Sequence, residues 1–84
     1  MTYKEKFDNE TNWRNRVLIV ELFHLQMLAS NSSWTLSRTA KAFGRSIALI
    51  SENLELAKHV RDGKFDLCTS REKAMKILRR EKHE

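Results

Sequence analysis

Between Leu36 and Leu54 two short apolar periodicities meet at a glycine, and this juncture constrains the fold more than any other part of the chain. Leu36, Ala40 and Phe43 recur at i, i+4 and i+7, which draws one apolar stripe along a helix. Ile47, Ile50 and Leu54 recur at i, i+3 and i+7 and draw a second. Gly44 stands where the first helix must stop, and a residue without Cβ takes the left-handed backbone conformation there at no steric cost. Ser46 follows as the N-cap of the second helix, its hydroxyl placed to accept from an orphan amide. Ala40 is small where the two helices approach. The pattern predicts two helices joined by a tight turn, a helix-turn-helix.

The 84 residues allow one domain, which buries about 60–65% of the surface of its unfolded chain. With no proline and only Gly44 and Gly63 as glycines, the expected class is all-α with about four helices, the second and third forming the helix-turn-helix. Residues 1–8 read as a flexible N-terminal arm, and 9–84 as a single helical domain with a basic C-terminal helix. Asn9, Thr11 or Asn12 can cap a long first helix running to about Ala29. Thr35 is placed to cap the second, with Trp34 anchoring the turn before it. The third runs from Ile47 to about Val60 and ends at Asp62-Gly63. Thr69 and Glu72 have capping-box spacing for a fourth, with Ala74, Ile77 and Leu78 as its apolar stripe.

The first predicted helix is apolar around most of its circumference, from Trp13 through Val17, Leu18, Ile19, Val20, Leu22, Phe23 and Leu25 to Met27 and Leu28. Such a helix is either central to a core or shared with another subunit. In a chain this short the expectation is a self-association face made by Val17, Val20, Phe23, His24 and Met27. The alternative is that the other helices wrap it within one subunit.

Charge is distributed unevenly. Residues 1–35 carry four Lys or Arg and four Asp or Glu, residues 36–63 five against three, and residues 64–84 seven against four. The net charge of +5 therefore lies in the helix pair and the tail. A basic balance there suits a polyanion, because counterion release rewards each neutralised phosphate.

The stretch TAKAFGRSIALISENLELA resembles the helix-turn-helix of ParB/KorB-type proteins, and it is also similar to the Cro and repressor class. Trp34 before the motif, Leu56-Ala57 within its end, and Ser70, Arg71 and Ala74 beyond it favour the ParB-like group. The resemblance implies a small phage- or plasmid-derived DNA-binding protein that lays its second motif helix in the major groove of double-stranded DNA. The positions it assigns to contact are Arg38, Lys41, Arg45 and Ser46, then Ile47, Ala48, Ser51, Glu52, Asn53 and Glu55. Arg45, beside the start of the third helix, is the strongest phosphate candidate. Arg71, Lys73, Lys76, Arg79 and Arg80 form a basic ridge able to follow a phosphate strand. The outward face of the third helix departs from the usual pattern, because Ile47, Ala48, Ser51, Glu52 and Glu55 include none of the Arg, Lys, Asn or Gln that read bases.

Other chemistries find no pattern. His24, His59, His83 and Cys68 lack metal-ligand spacing, and no nucleophile elbow or phosphate-cradling glycine loop is present. No enzyme, cofactor, metal or small-molecule substrate is expected. The run Val17-Leu18-Ile19-Val20 stops at Glu21, short of the ~20 apolar residues of a membrane span. The opening residues are charged with no signal-peptide segment behind them, and Cys68 is alone, so a cytoplasmic, nucleoid-associated protein is expected. The leading expectation is thus a DNA-binding homodimer or higher oligomer: a transcriptional regulator, partition accessory or DNA-packaging factor. The alternative is an interaction module that binds a host protein through the apolar and acidic face of the third helix.

Overall fold

In the computed structural model, which describes residues 2–82, the chain folds into five helices: α1 (Tyr3–Asn9), α2 (Trp13–Ser30), α3 (Leu36–Phe43), α4 (Ile47–Arg61) and α5 (Arg71–Lys82). No strand occurs among the described residues, in keeping with the all-α expectation. His83, considered above as a metal ligand, lies outside them.

The additional helix is α1, and it corrects the expected flexible arm at residues 1–8. Thr2 caps it by accepting from the Glu5 amide. Phe7 is only 2% exposed and meets Phe43 edge to face at a centroid distance of 5.4 Å. Burying one such ring contributes about 1.5–3 kcal/mol. That contact holds a seven-residue helix which is too short to persist alone.

The all-round apolarity of α2 has an intramolecular explanation. One cluster gathers Val17, Leu56, Ala57, Phe65, Cys68, Ala74, Met75 and Leu78. A second gathers Phe7, Val20, Ala40, Phe43 and Ile50. Because α2 serves both, Val17 and Val20 are buried within the subunit and are not available for self-association. Phe23 is also engaged internally, with its ring edge to face against Tyr3, Trp34 and Phe43. Met27 is partly buried. The apolar side chains that α2 leaves open are instead Leu22 and Leu25, each about half exposed. Glu21 on the same helix is buried and pairs with Arg61 of α4 at 2.9 Å.

The joint between α3 and α4 follows the sequence closely. Thr35 accepts from the Arg38 amide and caps α3. Gly44 has φ 66° and ψ 36°, the left-handed conformation that ends the helix. Ser46 then caps α4 through the Leu49 amide. Thr39 of α3 is completely buried and receives the Trp34 indole N–H at 2.7 Å.

Gly63, at φ 74°, turns the chain after α4. The guanidinium of Arg14 on α2 donates to the carbonyls of Phe65, Asp66 and Cys68 and so holds the loop that leads to α5. The cap of α5 is Ser70, which accepts from the Lys73 amide, rather than Thr69, which receives the Lys73 ammonium. The inward stripe of α5 is Ala74, Met75 and Leu78, and Ile77 stays 37% exposed.

Candidate nucleic-acid interface

Helix α4 buries Ile50, Asn53, Leu56 and Ala57 against α2 and α5. Its opposite side begins with Ile47, 51% exposed, and continues through Ala48 and Ser51, both exposed, to the partly buried Glu52 and Glu55. Ile47 therefore faces outward and does not join the inward stripe. Asn53 does not reach this face. It is 2% exposed, and its side-chain oxygen accepts from Nε of Arg71 at 3.0 Å, which corrects its expected role as a groove donor.

Glu52 is a carboxylate beside this exposed face, and the structure supplies it with counter-charges. Arg71 lies 3.1 Å from one of its oxygens and Arg79 3.7 Å from the other. Two residues of the expected basic ridge thus turn back on to α4 and fasten α5 alongside it. Lys73 lies over Thr69, while Lys76 and Arg80 remain exposed.

On the other flank, Arg38 and Lys41 of α3 are exposed, with the Arg38 guanidinium 5.6 Å from the centre of the Trp34 ring. Arg45 is differently placed. It pairs with Asp8 of α1 at 2.8 Å, lies 5.3 Å from the Phe7 ring centre and donates to the carbonyls of Phe43 and Gly44. Its charge already has a partner within the fold. Lys4, hydrogen-bonded to the same carboxylate, and Arg45 beside it hold the Asp8 carboxyl below its ordinary value of 3.8. Ser46 is exposed, with its hydroxyl committed to the Leu49 amide.

A groove beside α4 escaped the sequence reading. Leu25, Leu36 and Leu54 give it apolar walls, and Glu21, Glu55 and Lys58 give it charge. His24 also borders this groove. Its Nδ1 lies 2.7 Å from the Thr39 hydroxyl, whose oxygen also receives the Trp34 N–H. The arrangement joins α2, α3 and the turn before α3 through one buried hydroxyl. Self-association is thus not the role this geometry gives His24. Burial lowers its pKa from the ordinary 6.5. The unfolded chain therefore binds the His24 proton more readily, and the stability from neutral His24 is complete above pH 6.5 and is lost as pH falls below it. The melting temperature should accordingly fall on acidification below that point. His24→Asn, which keeps a hydrogen-bonding group near Nδ1 but does not titrate, should flatten the trend. An equal decline in the variant would assign the effect to other groups.

Among the described residues no cluster of His, Cys, Asp or Glu could hold a metal, and no helix is long and apolar enough to cross a membrane. No protein-family description, curated protein or solved structure matches the chain.

Proposed function

We propose that this chain is a small DNA-binding protein that presents the first two turns of α4 to double-stranded DNA. The observation that carries the reading is the open α4 surface of Ile47, Ala48 and Ser51 at the end of a glycine-turned helix pair. Exposed cations stand on both neighbouring helices, Arg38 and Lys41 on α3 and Lys76 and Arg80 on α5. The pairing of Glu52 with Arg71 and Arg79 supports the same reading, because it offsets the repulsion a lone carboxylate would exert on phosphate. Ile47 and Ala48 are suited to thymine methyl groups and Ser51 to several base edges. With so few readers of base identity, phosphate contacts and DNA shape carry most of the affinity.

Such surfaces work in symmetric pairs about one DNA turn apart. The reading therefore includes a homodimer or higher oligomer, and its resemblance to partition and repressor domains suits a regulator, partition accessory or packaging factor. A second reading draws on the exposure of Ile47 next to the leucine-walled groove. These features also suit a protein partner docked on α4.

Fluorescence anisotropy of labelled random duplex DNA tests the proposal. Binding should weaken by at least about tenfold between ~50 and ~200 mM salt, as several phosphate contacts require. Absence of binding at the lower salt would overturn the DNA reading in favour of a protein partner.

A further inference from the structure

A cavity of about 340 Å³ opens between the α1–α2 joint, α4 and the start of α5, and its lining includes the Arg71 that pairs with Glu52. Phe7, Val17 and Leu49 contribute apolar wall. Its polar lining is rich in donors. Arg16 lies across the Phe7 ring at 4.2 Å, and no carboxylate pairs with it among the described residues. The Trp13 indole N–H is buried and has no hydrogen-bond partner. Asn53 engages Arg71 through its oxygen, which leaves its Nδ2 able to donate. A buried donor left without an acceptor costs about 1–3 kcal/mol, so the Trp13 indole marks a place where an acceptor belongs.

We infer that this cavity binds a small organic anion, a carboxylate or phosphate carried on an apolar body. Arg16 supplies the charge, the Nδ2 of Asn53 and the indole of Trp13 supply neutral donors, and the body lies along Phe7 and Leu49. Glu72 stands at the rim but is exposed, where solvent screens it. An inorganic ion alone would leave the apolar wall empty, and the volume falls in the range of small-molecule sites. The site is also connected to α4. Asn53 and Glu52 hold the same Arg71 side chain, so an occupant that moves Arg71 would act on the α4–α5 contact.

The test is a titration of the full chain with benzoate, phenyl phosphate and inorganic phosphate. It follows the Trp13 indole and Asn53 side-chain amide signals by nitrogen-15 NMR. Saturable movement of both signals is expected with an aromatic anion, and the two probes report whether carboxylate or phosphate is preferred. Inorganic phosphate should bind at least about tenfold more weakly, for want of the buried ring. Asn53→Asp retains the oxygen that Arg71 contacts but replaces the Nδ2 donor with an acceptor. It should weaken binding by about tenfold or more, and Arg16→Gln should do the same without touching the buried network. Failure of both aromatic anions to move the two signals would overturn the inference. So would equal affinity for inorganic phosphate, or binding by Arg16→Gln equal to that of the parent.

Discussion

Replacing Phe43 with alanine should destabilise the protein by about 3–5 kcal/mol, the range for deleting a buried aromatic ring. Phe43 is 1% exposed and meets the rings of Phe7 at 5.4 Å and Phe23 at 5.2 Å. Phe23 in turn meets Tyr3 and Trp34. One side chain thus links α1, α2 and α3, and its loss opens a cavity that no single helix can fill by moving. A domain of this size has a total stability of roughly 4–13 kcal/mol, so a large share of it is at stake. Urea unfolding followed by circular dichroism should show the midpoint falling steeply, with amides of α1 losing protection from hydrogen exchange. Ile47→Ala, on the exposed face of α4, should stay within about 0.5 kcal/mol of the parent. A Phe43→Ala cost below about 1 kcal/mol would mean that the aromatic cluster does not hold α1.

The contrast between these two residues shows what a one-dimensional reading captures. Gly44, Ser46 and Thr35 announce their roles because caps and left-handed turns depend on a few neighbouring residues, and of the three caps open for the long helix, Asn9, Thr11 and Asn12, the structure uses Asn12. Helix α1 carries a local signal only in the capping-box spacing of Thr2 and Glu5, which cannot by itself hold a seven-residue helix. Tyr3 and Phe7 have helical spacing but sit among charges, and only the distant ring of Phe43 makes the helix worthwhile. Periodicity alone draws Ile47 into a stripe with Ile50 and Leu54, yet its place among the outward contact positions is the one the structure gives it, 51% exposed. Asn53 looks like a surface donor. Its partner, Arg71, is 18 residues away, and so is invisible to local pattern. The same holds for Arg45, whose partner Asp8 is 37 residues distant. Helix α2 was legible as apolar all round, but the number of elements surrounding it depended on α1 and on the Arg14-held loop.

Reversing four charges together, Arg38→Glu, Lys41→Glu, Lys76→Glu and Arg80→Glu, should lower duplex affinity by at least about a hundredfold at ~50 mM salt. The log–log salt slope should shrink by roughly 2–4, since each lost phosphate contact removes close to one unit. These four side chains are exposed, so helix content and melting should change little. Arg45→Gln should behave in the opposite way. Its guanidinium is held by Asp8, a carboxylate it shares with Lys4, so the salt slope should change less than in the quadruple variant, while separation of α1 from the α3–α4 turn should lower the melting temperature. Dividing the quadruple variant into its α3 and α5 halves locates the DNA. If both halves reduce the slope, phosphate strands run along both flanks of α4, as a helix lying in a groove requires. If the α3 half alone accounts for the loss, α5 is a brace, and the Glu52 contacts with Arg71 and Arg79 serve the fold rather than the interface. An unchanged slope in the quadruple variant would remove α4 and its neighbours from the binding surface.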